Sequence, residues 1–320
     1  MTDIVTLTMN PAVDISTSVG RVKPIHKLRC AAARRDPGGG GINVARVGKR
    51  LGADVLSIYP AGGPIGQLLQ RLIEQEGVRG QSIPISQDTR EDFTVHEVET
   101  GEQYRFVLPG PYLSEGEWLA CLDAFTSFDD RPAFVVASGS LPPGVPDDFY
   151  SRFVQATRDK GAKIAMDTSG LPLRHALETG VYLVKPSLRE MRELVAEPLE
   201  RETECIAASR RLIEARRAEV VALTLGHYGA LLVTRDLVLR ANALPIKPVS
   251  TVGAGDSFLG AMLARLAAGH GIEDAFRHGV AAGSAALLVP GTDLCRREDV
   301  ERLLCDVTLQ RLRGSTWQAV

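Results

Sequence analysis

The chain predicts an α/β sandwich with a mostly parallel central sheet. Short β-branched runs alternate with helical patterns over most of its length, as strand–helix–strand units require. Its 320 residues, 44% of them apolar, are enough for a large core in one domain, or in one domain plus an appendage. Ile4–Leu7 reads as the first strand, Ile42–Leu51 as a helix entered from a run of glycines, Val55–Tyr59 as a strand and Ile65–Glu76 as a helix. Phe134–Ala137 is a strand, followed by a helical period over Asp147–Lys160. Lys163–Met166 and Tyr182–Val184 are short strands, Leu188–Val195 and Glu202–Arg216 helices, and Val220–Thr224 an apolar strand. Ala230–Thr234 and Val238–Arg240 read as a hairpin, and helices follow over Ala254–Ala268, Ile272–Leu288 and Arg297–Cys305. In such sheets ligands bind beyond the carboxyl ends of the strands, where the glycine-rich loops belong.

Two stretches break this pattern. Val13–Ala33 and Phe93–Leu108 alternate like strands without helices between them, and a Thr100-Gly101 turn divides the second. They predict a small β appendage, inserted from about 13–33 and 93–108 into one domain spanning 1–320. So small a sheet has apolar surface to cover, and is expected to serve as a lid, a dimer contact, or both. The tail after Val307 is polar and reads as loosely ordered.

Composition narrows the function. A net charge of −2, with basic residues scattered in short runs, gives no reason to expect nucleic acid or membrane partners. Five widely separated cysteines without a Cys-x-x-Cys pair fit a reducing compartment with neither disulfides nor a zinc site. Met1-Thr2-Asp3-Ile4 opens on a strand, with no basic or apolar leader pattern. No apolar run approaches the roughly 18 residues of a membrane span. The expected setting is cytoplasmic.

The most informative stretch is Thr251-Val252-Gly253-Ala254-Gly255-Asp256-Ser257-Phe258. Its small residues let backbone N–H groups converge where a helix begins, which makes an anion site. Asp256 there is either a helix-capping residue or a proton acceptor. A second loop, Pro37-Gly38-Gly39-Gly40-Gly41-Ile42-Asn43, allows close backbone approach to a ligand, and Asn43 can both donate to and accept from a sugar hydroxyl. Neither loop is a Walker A motif or Gly-x-Gly-x-x-Gly, so a P-loop enzyme and a dinucleotide dehydrogenase lose their support. Asn10, Pro11 and Asp14 follow the first strand, as an ordinary turn or as a polar cluster facing the same crevice. Lys185-Pro186-Ser187-Leu188-Arg189-Glu190 opens a helix, either as a plain strand-to-helix turn or with Glu190 on a metal-bound water and Lys185 near phosphates. Thr224–Gly229 is a glycine loop or a hairpin turn, and His227 within it reads as a surface residue. Ser138-Gly139-Ser140-Leu141-Pro142-Pro143-Gly144 lacks the order of a nucleophile elbow, which excludes a serine hydrolase.

With these residues in hand, the chain resembles the ribokinase-like PfkB carbohydrate kinases from about residue 3 to about 305. The two glycine loops are similar to that family's two signatures. Thr6–Asp14, Lys27–Cys30, Gly101–Val107, Gly139–Gly144 and Gly279–Ala286 resemble its phosphofructokinase branch. The resemblance implies a three-layer α/β/α fold with a β lid shared across a homodimer. The implied reaction is ATP-dependent phosphorylation of a sugar phosphate, foremost fructose 6-phosphate; tagatose 6-phosphate and fructose 1-phosphate are close alternatives, and a sensor without turnover a distant one. It also implies roles. Asp256 would be the base, and the N–H groups of Gly253, Ala254 and Gly255 the anion hole. Asp14, Gly39, Gly40, Asn43 and Ser140 would hold the sugar, with Lys27, Arg90 and Arg105 on its phosphate. Lys185, Ser187, Thr224, Gly226, Gly229 and Ser284 would contact ATP, and Glu190 would hold Mg²⁺ through water. Carbonyls of Ser250, Val252, Ala286, Val289 and Gly291 would hold a monovalent cation such as K⁺. Ser187 departs from the family's usual Asn, which leaves the metal and ATP details open.

Overall fold

The computed structural model describes residues 2–127, 131–158 and 161–312. In chain order the elements are β1 (Ile4–Leu7), β2 (Ala12–Val19), β3 (Arg34–Gly38), α1 (Gly40–Arg50), β4 (Val55–Ala61), α2 (Gly63–Gln75), β5 (Arg79–Pro84), β6 (Arg90–Glu97) and β7 (Gln103–Phe106). Then come α3 (Glu115–Thr126), β8 (Phe134–Ser138), α4 (Phe149–Arg158), β9 (Lys163–Asp167), α5 (Gly170–Thr179), β10 (Val181–Val184), α6 (Leu188–Val195), α7 (Glu202–Glu214) and β11 (Ala218–Thr224). The chain closes with β12 (Ala230–Val233), β13 (Val238–Ala241), α8 (Ala254–Ala267), α9 (Ile272–Ala286), α10 (Arg297–Leu304) and β14 (Leu309–Arg311).

The main sheet has the order β14-β13-β12-β11-β10-β9-β8-β1-β4-β5. From β11 to β5 all pairings are parallel; β12, β13 and β14 add an antiparallel edge. Both faces are buried because successive side chains point to opposite sides. Phe134 and Val136 join the core beneath α1, α2, α8, α9 and α10, while Val135 and Ala137 join the core beneath α3 to α7. This is the three-layer α/β/α sandwich expected. Each fully buried Leu or Val in these layers stabilises the fold by ~1.5–3 kcal/mol. Among the described residues no helix is long and apolar enough to cross a membrane.

A second sheet, in the order β3-β2-β6-β7, forms the appendage. Its extent differs from the reading of 13–33. Strand β2 ends at Val19, residues 20–33 are not strand, and an additional strand, β3, follows at Arg34–Gly38. Arg34-Arg35-Asp36-Pro37-Gly38 carries no β signature of its own; register with β2 makes it a strand. The second half starts at Arg90 rather than Phe93, and its strands meet at the expected turn, with Gly101 at φ +76°.

Besides β3, four elements went unread. Helix α3 has apolar residues on several sides and no single stripe, although Ser114 and Glu117 form a capping box that marks its start. Helix α5 is short and holds Pro172, and β5 is a largely exposed edge strand without alternation. Strand β14 pairs with β13, so the tail after Val307 is ordered at least through Arg311. Lys160, the expected end of a helix, and residues 313–320 of the tail lie outside the described residues.

Candidate active site

The carboxyl ends of β1, β8, β9, β10 and β11 lie side by side in the main sheet, and the polar residues singled out above follow them in the chain. Helix α8 starts there. Gly253 caps it in the left-handed region (φ +71°), and Ala254, Gly255 and Asp256 form its first turn, whose N–H groups have no intrahelical acceptors. With the helix dipole they make an anion site.

Asp256 is held from the other glycine loop, 213 positions away in sequence: Asn43 Nδ2 donates to its Oδ2 at 2.9 Å. Burial pushes the Asp256 carboxyl above the usual range, while Asn43, Lys185, Arg105 and Arg46 pull it back. Lys185 is 4% exposed. A Cβ on Gly255 would stand 3.0 Å from its Nζ, so the ammonium sits against the anion loop. It pairs with Asp167, the last residue of β9, at 3.1 Å. Burial, with Asp256 and Glu190 nearby, pushes the Asp167 carboxyl up to about 7 despite Lys185. Lys185, among carboxylates, is held in its charged form. Asp167 was absent from the sequence reading. Its signal was its place at a strand's carboxyl end, directly before Thr168-Ser169-Gly170.

Across the crevice, the second glycine loop packs where side chains cannot fit. A Cβ on Gly40 would lie 2.2 Å from Ser138 Oγ, and Gly39 adopts φ +108°. Asp14 abuts Gly38, and its carboxyl is pushed up to about 7 by burial and then Asp92, against Arg105, Arg46 and Arg90. Asn10 donates to Ser140 Oγ (3.2 Å) and Pro109 O (3.0 Å), and its buried Oδ1 has no partner. Arg90 donates to Asn10 O at 3.0 Å and pairs with Asp92 at 3.5 Å. A cavity of about 530 Å³ opens between Asn10, Arg90 and Ser140. Arg105, on β7, acts electrostatically on both Asp14 and Asp256. Lys27 is not joined to this cluster. It is exposed in the 20–33 segment and makes no hydrogen bond or ion pair among the described residues.

A second cleft, of about 790 Å³, runs from Gly255 across the ends of β10 and β11. Ser187, Thr224, Gly226, Gly229 and Ser284 line it, between apolar walls that include Leu225, Ile246 and Val280. Apolar walls with a few polar groups suit a flat heterocycle. His227 is exposed on the short 3₁₀ turn Gly226–Tyr228. Ser187 caps α6 in a complete capping box: Glu190 N donates to its Oγ (3.3 Å), and Ser187 N donates to Glu190 Oε2 (2.8 Å). One Glu190 oxygen is thereby engaged. Among the described residues no three acidic, His or Cys side chains are arranged to hold a metal ion. Ser250 Oγ donates to Gly291 O (3.3 Å) and accepts from Val252 N (3.2 Å), and Ala286 and Val289 are buried beside them in sequence.

The chain matches the description "pfkB family carbohydrate kinase" over residues 3–299. It is 50% identical to ATP-dependent 6-phosphofructokinase isozyme 2 of Mycobacterium tuberculosis, covering 93% of this chain and 88% of that protein. It is 39% identical to the Escherichia coli protein of that name, covering 95% and 98%. A 1-phosphofructokinase of Bacillus subtilis is 31% identical, over 97% of this chain and all of that one. Solved structures of Escherichia coli phosphofructokinase-2, one with fructose-6-phosphate and one with potassium, superpose with TM-scores of 0.90 and 0.91 at 37% and 38% identity, each covering 96% of this chain and 99% of that one.

Proposed function

The chain belongs to the pfkB family of carbohydrate kinases, and from that premise we propose that it transfers the terminal phosphoryl of ATP to the 1-hydroxyl of fructose 6-phosphate. It is a phosphotransferase with an alcohol acceptor. One observation carries the reading: Asp256, held by Asn43, stands in the turn whose free N–H groups open α8. Asp256 takes the proton of the hydroxyl as it attacks. The N–H groups of Gly253, Ala254 and Gly255 stabilise charge on the transferring phosphoryl, since such reactions depend on positioning and electrostatics. Asp14, Asn43, Gly39, Gly40 and Ser140 orient the sugar. Arg90 and Arg105 hold its phosphate, and Lys27 is a third cation delivered by the lid.

The 790 Å³ cleft takes the nucleotide, with Ser187, Thr224, Gly226, Gly229 and Ser284 in contact, and Lys185, which does not line the cleft but sits against Gly255, acts on the phosphates from beneath the anion loop. Glu190 would hold Mg²⁺ through water, and the ion would supply charge neutralisation at the phosphates. The carbonyls of Ser250, Val252, Ala286, Val289 and Gly291 would hold K⁺. The chain works as one kinase domain with a β lid, in the cytoplasm, where its five free cysteines stay reduced. Phe93 and Phe106, cross-strand partners 39% and 57% exposed on the lid, supply the apolar contact of a homodimer.

Replacing Asp256 by Asn is expected to lower kcat by ~10²–10⁴-fold while leaving the KM for both substrates close to normal. Near-normal turnover of Asp256→Asn in an ADP-release assay would refute the base assignment. Binding of both ligands without turnover by the unaltered protein would mark it a sensor. The 1-phosphofructokinase relative favours fructose 1-phosphate as the second reading. Comparing kcat/KM for fructose 6-phosphate, fructose 1-phosphate and tagatose 6-phosphate decides among the three.

A further inference from the structure

Arg46 lies one helical turn beyond Asn43 on α1 and is 0% exposed. A guanidinium buried so completely demands partners for its donors; Nε has none among the described residues, and the two Nη groups carry the contacts. Nη1 donates to Pro37 O (3.0 Å) at the end of the lid strand β3, and to Thr292 O (3.1 Å) next to Gly291. Nη2 donates to Glu76 at 2.6 Å and stands 3.9 Å from Asp36. These contacts would suffice to anchor α1. A further one reaches the active site: Nη1 also donates to Asn43 Oδ1 at 3.3 Å.

A carboxamide has one accepting end and one donating end. With Oδ1 turned to a permanent cation, the Asn43 amide presents Nδ2 to Asp256 Oδ2. Reversed, it would set NH₂ against the guanidinium and an oxygen against the carboxylate. We propose that Arg46 is a positioning residue for phosphoryl transfer, locking the Asn43 amide so that it donates to Asp256 and cannot accept from it. The inference rests on Asp256 being the base. A base must be ionised to act, and a donor locked in place favours the ionised carboxylate. With Arg46 absent, the amide is free to turn and accept from protonated Asp256, which stabilises the idle form. The other charges facing Asp256, namely Lys185 on the β10 side, Arg105 on the lid and Asp167 on β9, are unchanged by such a substitution.

The experiment measures kcat/KM for fructose 6-phosphate against pH in Arg46→Met and Arg46→Lys, each alone and combined with Asn43→Ala, with folding checked by circular dichroism. In Arg46→Met the acidic limb is expected to move up by about one pH unit, the effect of a hydrogen bond to a charged group, with the KM for ATP unchanged. Arg46→Lys keeps the charge against Glu76, so it retains the fold, but one ammonium cannot replace the fork; its limb moves the same way by less. Once Asn43 is alanine, substituting Arg46 is expected to move the limb by clearly less, what is left being the direct pull of its charge on Asp256. An unmoved limb in a folded variant overturns the proposal, and so does an equal shift in the Asn43→Ala background, which would mean that the charge acts directly. If Arg46→Met does not fold, Arg46→Lys decides alone. Turnover by Asp256→Asn would instead remove the base reading, whatever Arg46 does.

Discussion

Replacing Lys185 by Met should destabilise the protein by an amount that depends strongly on pH. Lys185 and Asp167 are 3.1 Å apart with side chains 5% and 13% exposed, and Glu190 and Asp256 also act on the ammonium. Breaking a buried pair whose partner stays charged costs ~3–5 kcal/mol. Asp167, however, already stands at about 7 in the folded protein against an ordinary 3.8. A carboxyl raised by folding binds protons more tightly in the native state than in the unfolded chain. Its contribution to stability is complete below the ordinary value and is lost as pH rises through about 7. Removing Lys185 raises Asp167 further and extends that loss, at up to ~1.4 kcal/mol per pH unit. At about pH 5 the carboxyl is protonated, the substitution also removes the cost of burying an ammonium, and the net change is close to neutral. At about pH 8 the loss approaches ~3–5 kcal/mol. Urea unfolding of the ligand-free protein at about pH 5, 6.5 and 8 reads this directly. A loss equal at all three would show that Asp167 is ionised throughout, and would refute the reasoning.

Two further outcomes follow from the glycine cap of α8 and the Asp14 carboxylate. Gly253→Ala places a side chain at φ +71° with its Cβ 2.4 Å from a Leu294 methyl, so stability should fall by ~1–2 kcal/mol for the left-handed conformation. Turnover should fall more than substrate affinity; a variant as stable and active as the parent would show that the cap imposes no strain. Asp14, also raised to about 7, should make the ligand-free Tm decline from about pH 5 to about pH 8. Asp14→Asn should flatten that decline, and an unaltered slope would remove Asp14 as its source.

What the sequence disclosed follows the range of the forces involved. The two glycine loops were legible because backbone approach to a ligand excludes side chains locally, and each loop leads into a helix. Their meeting through Asn43 and Asp256 was legible only as a shared purpose, since 213 positions separate them. Lys185 was read as part of the site, but its partner Asp167, one residue past the strand read over Lys163–Met166, was not. A carboxylate reveals itself through what surrounds it. Arg46 is the clearest case: on the α1 pattern it is an ordinary helix arginine, and nothing local announces 0% exposure. The lid strand Arg34–Gly38 was missed for the same reason, because pairing with β2 and not residue propensity makes it a strand.

The lid has no flexible leash. Strand β2 begins at Ala12, a few residues after β1 ends at Leu7, and Gly39 alone separates β3 from α1. Any swing of the small sheet must be taken up by dihedral rotation at residues 8–11, at Gly39, which stands at φ +108°, and in the connections 85–89 and 107–114 that join β6 and β7 to the main domain. Asn10, Val107, Leu108 and Pro109 in these connections also line the cavity proposed for the sugar, so they serve at once as hinge and receptor. Lid angle and sugar occupancy then belong to one equilibrium. Whatever fixes the lid, a second copy of the chain included, tightens sugar binding by the same factor by which the sugar favours that lid position.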